Sequence, residues 1–233
     1  MDNTDAQISG NRDRPEVDAA LPVGESQAPT ILSFVADRAN IVTLIGLSLG
    51  VLAVYFALNQ NYPAAIIAML WAVLMDWYDG PIARATQGRS KAHQLIGIQM
   101  DSLVDIISLG VVSATLLLSV GNFSPWFYPG ALVIIMAGVL RLAYFNVFGV
   151  DKDGKVAGFT IDNSAYVVAA VFLFEGLLDH NVFAALIYTA VVTMAILHIA
   201  PVRTPKLGKI WYYIVTTYVL AMTGGFSYIM WTE

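Results

Sequence analysis

The sequence predicts an all-α, polytopic transmembrane bundle, and three observations carry that prediction. Of the 233 residues, 58% are hydrophobic and only 12% charged, with a mean hydropathy of +0.67, outside the range of a soluble domain. Apolar runs long enough to cross a bilayer, about 20 residues each, recur along the chain. The lysines and arginines are distributed between the loops with one consistent bias.

In chain order, residues 1–29 form an acidic tail. Over residues 1–30, six acids stand against Arg12 and Arg14, so four of the five net negative charges sit there. The tail lacks the basic start and apolar core of a secretory signal, and its composition predicts disorder. Residues 30–39 follow as a juxtamembrane amphipathic helix, with Ile31, Leu32, Phe34 and Val35 on its apolar side, suited to lie in the interface plane.

Spans are expected near 40–58, 62–83, 95–120, 126–148, 161–178, 181–200 and 210–231: six core helices and an additional C-terminal one, all within a 40–231 catalytic region. The fifth is the weakest, because Asp162, Asn163 and Glu175 interrupt it. Gly46 and Gly50 in the first span have the spacing that allows close helix packing. Near the span ends, Trp126, Tyr128 and Trp231 suit an interfacial belt. The three histidines are scattered and none is assigned a function. Cysteine is absent from the sequence, which excludes disulfides and thiolate metal sites.

With a cytoplasmic N-terminus, all twelve basic residues fall on or near the inner side, Arg141 somewhat within its helix. The opposite loops near 59–61, 121–125 and 179–180 carry none. This is the positive-inside pattern. Membrane lipids are the expected surroundings and no nucleic-acid partner is expected.

Four acids break the apolar pattern within "MDWYDGPIARATQGRSKAHQLIGIQMDSLVDIISLG", residues 75–110. A carboxylate within a membrane span costs roughly 2.5–3.5 kcal/mol on insertion scales, and intramembrane acids mark functional sites. Asp76, Asp79, Gly80 and Ala83 are spaced i, i+3, i+4, i+7, so they share one helix face at the inner end of the second span. Pro81 is expected to disturb the helix at Gly80. Gly97, Asp101 and Asp105, spaced i, i+4, i+8, share a face of the third span. Two such stripes can face each other across a cavity, and repelling carboxylates are tolerated there only with cations between them or with some of them protonated. Oxygen-only ligation favours Mg²⁺, Mn²⁺ or Ca²⁺. Gly80 and Ala83 free space beside the acids, while Arg84 supplies a guanidinium fork suited to phosphate.

The pattern Asp-x2-Asp-Gly-x2-Ala-Arg, followed later by Gly-x3-Asp-x3-Asp, resembles the signature of the CDP-alcohol phosphotransferases. The resemblance implies transfer of a phosphatidyl or similar group from a CDP-linked donor to an alcohol, with release of CMP. It further implies that Asp76, Asp79 and Asp101 bind two divalent ions, Mg²⁺ or Mn²⁺, and that Asp105 approaches them and acts as general base. Gly80, Ala83, Arg84 and Gly97 would contact or make room for the CDP, and a homodimer is implied. The linker "ATQGRSKAHQLI" exceeds the family's usual gap and reads as an extended loop.

Within the family, "MDSLVDIISLG" with "LRLAYFNV" looks most like the phosphatidylserine synthase branch. That branch implies CDP-diacylglycerol as donor and L-serine as acceptor, with Arg141 and Asn146 as ligands of the acceptor carboxylate or the lipid phosphate. Where the branch has a Gly-Leu-Pro-x-Pro element, this chain has "GFTIDNSAY", which brings Asp162, Asn163 and Ser164 into consideration for the acceptor pocket. Two alternatives remain: the same chemistry with inositol phosphate, glycerol phosphate or another alcohol, and a cation-coupled transporter. A transporter would place its charges near mid-membrane on broken helices.

Overall fold

The computed structural model describes residues 30–205 and 208–232; the expected acidic tail lies outside them. Helix α1 (Ile31–Val35) is a five-residue segment that leaves Ile31 and Leu32 exposed and buries Phe34. The chain turns at Ala36 and Asp37 into α2 (Arg38–Leu58), which Asp37 caps by accepting hydrogen bonds from the Ala39 and Asn40 amides. Helix α3 (Tyr62–Ala85) starts beneath an Asn61 cap. The next span joins α4 (Lys91–Asp105), a π-helical turn (Ile106–Val111) and α5 (Val112–Val120) into one rod. Helix α6 (Tyr128–Phe148), strand β1 (Lys155–Ala157), α7 (Asp162–Phe172), α8 (His180–Ile199), strand β2 (Arg203–Pro205) and α9 (Ile210–Thr232) complete the order.

Among the described residues, six helices are long and apolar enough to cross a membrane, and the protein is an integral membrane protein. The fifth expected span is the departure. Only Asp162–Phe172 is α-helical there, followed by a 3₁₀ turn at Glu175–Leu177. Eleven residues rise about 16 Å, half the hydrocarbon thickness. Helix α7 nonetheless connects the two ends of the bundle: at its start Ser164 bonds His198 near the end of α8, and at its finish Phe172 stacks against Phe183 near the start of α8.

Two further expectations are corrected. Pro81 does not interrupt α3, which runs on to Ala85. The proline lies in the final turn and a half, where few ladder hydrogen bonds remain to be lost. The linker is not an extended loop either. Only Thr86–Ser90 lie between α3 and α4, and the remainder extends α4 by more than a turn beneath a Ser90 cap.

One end of the bundle gathers the C-termini of α3, α6 and α8 with the N-termini of α4, α7 and α9. Asn146 on α6 donates to Ser102 on α4 at 2.8 Å, Trp77 on α3 stacks edge-on to Tyr212 on α9, and β1 pairs antiparallel with β2. The described lysines and arginines lie at or near this end. At the other end, Ser119 donates to the Ala57 carbonyl and Tyr62 stacks on Phe172.

Helix α2 packs along α3 and also along the π turn, and its glycines explain how. A Cβ on Gly46 would meet Met75 Cβ at 3.3 Å, and one on Gly50 would lie 2.7 Å from the Ser108 Cα in the π turn. The glycine spacing therefore serves packing within this chain. The three elements enclose the lower part of the acidic cleft.

Candidate active site

The two aspartate stripes meet. Carboxylate oxygens of Asp76, Asp101 and Asp105 lie within 4.8 Å of one another. Asp79 stands one turn further along α3, where its Oδ2 accepts a 2.6 Å hydrogen bond from Thr43 Oγ1 on α2. Asp76, Asp79 and Asp105 line a small cavity of about 10 Å³ together with Thr43, Gly46 and Ser108, room for one water-sized species. Thr43 and Gly46 are five and eight residues beyond Arg38, which puts the acids about 8–12 Å below the start of α2. Three carboxylates at this separation, sheltered from water, repel strongly unless a cation intervenes. Their all-oxygen donor set fits a hard divalent ion.

Asp105 is the last residue of α4 before the π turn, where the Val112 amide reaches back to the Ile107 carbonyl. A π turn widens the helix by one residue per turn. It lets α4 aim Asp101 and Asp105 at α3 while the Ser108–Gly110 segment beyond is buried.

The residues expected around CDP are arranged along the opening of the cleft. Gly80 has no neighbour nearer to an added Cβ than Arg84 Nη1, at 3.4 Å. Ala83 is half-buried and Arg84 is exposed, one turn beyond Gly80 on the same helix. A Cβ on Gly97 would lie 2.9 Å from Arg89 Nη2 and 3.4 Å from Asn40 Oδ1, so this glycine admits a polar node below the linker. In that node Arg89 Nε donates to Asp37 Oδ2 at 2.8 Å, with both side chains at most 10% exposed. Arg89 also donates to the His93 carbonyl, Asn40 donates to the Phe34 carbonyl, and the Phe34 and His93 rings lie 4.9 Å apart. The node ties α1, the start of α2 and the linker together. Burial raises the Asp37 pKa, but the Arg89 hydrogen bond and charge and the Asn40 and Ala39 amides outweigh it and hold the carboxyl below its ordinary value.

The two α6 residues separate. Asn146 is half-buried and engaged with Ser102, next in sequence to Asp101. Arg141 is only 8% exposed, and its Nε has no hydrogen-bond partner among the described residues. Its guanidinium lies 5.1 Å from the Phe145 ring centre and is faced by Asp162, Asp105 and Asp76. Asp162 Oδ2 accepts from Trp77 Nε1 at 3.2 Å, while its neighbour Ser164 bonds His198.

Sequence reasoning missed Thr43, Asn40, Arg89 and Trp77. Asn40 and Thr43 carry a usable signal, two polar residues three apart at the start of an apolar run. Arg89 carries none, because nothing local distinguishes it from a solvated loop arginine.

A family model described as CDP-alcohol phosphatidyltransferase matches residues 37–199. The chain belongs to this family. The matched region starts at Asp37, the cap of α2, ends with α8, and leaves α9 outside. Among the family's curated members, the chain is 37% identical over 148 residues to an archaetidylserine synthase of Methanothermobacter thermautotrophicus, covering 61% of this chain and 60% of that one. It is 27% identical over 177 residues to a CDP-diacylglycerol–serine O-phosphatidyltransferase of Helicobacter pylori, covering 73% of each. A protein of the same name from Bacillus subtilis is 29% identical over 108 residues, 46% of this chain and 59% of that one.

Proposed function

We propose that the protein transfers the phosphatidyl group of CDP-diacylglycerol to the hydroxyl of L-serine and releases CMP, at the cytoplasmic face of the membrane. The observation that carries this reading is the convergence of Asp76, Asp101 and Asp105 within 4.8 Å, beside Asp79 and the opening formed by Gly80, Ala83 and Arg84. The serine-transferring names of the relatives support the acceptor. The basic end of the bundle, where the cleft opens, supports the cytoplasmic face. At that same end Ile31, Leu32 and Val35 of α1 offer apolar side chains to the membrane interface.

Asp76, Asp79 and Asp101 would hold two divalent ions, Mg²⁺ or Mn²⁺, with Asp105 close to them. When bound, these neutralise the diphosphate and the charge developing on CMP. Arg84 pairs with the diphosphate at the cleft mouth, and Gly80, Ala83 and Gly97 leave room for the nucleotide. The Asp105 carboxylate takes the serine hydroxyl proton as its oxygen attacks the phosphorus bearing the diacylglycerol. The serine O–P bond forms, the P–O bond to CMP breaks, and CMP leaves with the electron pair. Confinement of the lipid to the bilayer reduces the orientations the donor must search. The protein acts as a homodimer, to be checked by cross-linking in native membranes.

The test is to incubate purified protein with CDP-diacylglycerol, Mn²⁺ or Mg²⁺ and a panel of serine, inositol phosphate, glycerol phosphate and amino alcohols, measuring CMP. Serine-dependent CMP release is expected. Release with another alcohol and none with serine changes the acceptor alone, and absence of release with every alcohol removes the enzyme reading and favours cation-coupled transport. A second reading keeps serine and changes the lipid, because one relative is an archaetidylserine synthase. A CDP-linked archaetidyl donor in the same assay decides between them.

A further inference from the structure

Arg141 is a buried cation that makes no hydrogen bond or ion pair among the described residues. It is 8% exposed, its Nε is unpartnered, and its charge faces Asp162 before any other acid. Yet the two do not close into a salt bridge among the described residues. Asp162 is 9% exposed and commits one oxygen to Trp77 Nε1. Opposite charges held near each other in a dry bundle and left unjoined are unfavourable unless a ligand completes both.

The packing explains why they stand apart. A Cβ on Gly138 would lie 2.9 Å from Ile161 Cδ1 and 3.0 Å from Ile106 Cδ1, so α6 is seated against both isoleucines one turn before Arg141. Ile161 directly precedes Asp162, and Ile106 directly follows Asp105. The same contact therefore ties the helix carrying Arg141 to the residues beside Asp162 and Asp105, whose charges act on the guanidinium, while the Trp77 indole bonds Asp162.

We propose that Asp162 and Arg141 together read the zwitterionic end of an α-amino acid acceptor, Asp162 binding the ammonium and Arg141 the carboxylate, so that the hydroxyl is presented toward Asp105. This rests on the phosphatidyltransfer reading above and adds to it a specificity-determining residue, Asp162. A phosphorylated or neutral alcohol has no group for Asp162 and would leave that carboxylate buried and unmatched.

The test compares serine with 3-hydroxypropionate, which lacks only the ammonium, and with ethanolamine, which lacks only the carboxylate, as acceptors for CDP-diacylglycerol. The protein is expected to favour serine over both by at least about tenfold in kcat/KM, as for loss of a charge-assisted hydrogen bond. Asp162→Asn is expected to raise the KM for serine by a similar factor, to collapse the preference over 3-hydroxypropionate, and to leave the KM for CDP-diacylglycerol and the Mn²⁺ concentration for half-activity in place. Equal losses with serine and 3-hydroxypropionate, or a shifted Mn²⁺ requirement, overturn the proposal and make Asp162 a structural or metal-binding acid. Should Asp162→Asn fail to fold, Asp162→Glu keeps the charge on a longer stem. A higher serine KM with use of 3-hydroxypropionate unchanged supports the proposal, and equal loss with both acceptors overturns it. Use of a phosphorylated polyol and not serine removes this inference and the serine acceptor but keeps the transferase, whereas no CMP from any acceptor removes the transferase itself.

Discussion

Asp79 and Asp105 are both buried carboxylates on the same cleft, yet their partners differ and so do the outcomes expected on replacing them. Among the described residues Asp105 has no hydroxyl donor comparable to Thr43, which suits a group that must accept a proton during turnover. Asp105→Asn is expected to lower CMP release by about 10²–10⁴-fold, the usual contribution of a general base, while equilibrium binding of the CDP-lipid persists; loss of binding instead would make it chiefly a metal ligand. Asp79 is oriented by Thr43 Oγ1 at 2.6 Å. Thr43→Val keeps the shape and removes the donor, so Asp79 is expected to lose its fixed orientation and the Mn²⁺ titration of activity to shift to higher concentration by roughly tenfold, as for other residues that orient a metal ligand. The four acids were legible in the sequence because i+4 spacing and intramembrane cost are local properties. Thr43 was not, because its role depends on which helix lies opposite.

Among the elements, α1, the start of α2 and the linker share the buried Asp37–Arg89 pair, with side chains 4% and 10% exposed. Arg89→Ala leaves the buried Asp37 charge with only the Ala39 and Asn40 amides to offset it, and a loss of up to roughly 3 kcal/mol is expected, read as a lower melting temperature in detergent and rescued in part by a second change of Asp37 to Asn. The pH dependence has a definite sign. Because the folded Asp37 pKa lies below the ordinary 3.8, the stabilisation is fully present above that value and is lost as pH falls through the folded pKa. Melting temperature should therefore show no pH dependence from this pair between about pH 5 and 8, where its stabilisation is complete, and the loss should begin below about pH 4. Apolar runs located every long helix. The linker was misjudged because the Ser90 cap and the buried Arg89 turn what looks like loop composition into the first turn of α4.

Across the whole molecule, basic residues collect at the end of the bundle where the cleft opens, and α7 links the two ends although it is too short to span alone. This arrangement fixes a topology that the natural absence of cysteine makes easy to test. A single cysteine replacing Asn122 is expected to react with an impermeant thiol reagent from outside intact cells, and one replacing Lys152 only after the membrane is opened; the reverse pattern would invert the orientation. Fold class and six of the seven expected spans followed from hydropathy, but the length of α7 did not. Its polar start faces Trp77 and Arg141 rather than lipid, so hydropathy averaged over a window mistakes a site-lining segment for a weak span. The π turn after Asp105 has a last consequence. Each residue in an α-helix advances the chain by about 100°, so the extra residue at 106–111 acts as an angular offset between two halves of one rod. The half carrying Asp101 and Asp105 is clocked to the chemistry, and the half from Val112 onward is clocked to the apolar interior. Loss of a single residue there would turn one half against the other, so the order of side chains could survive intact while the two could no longer be in phase.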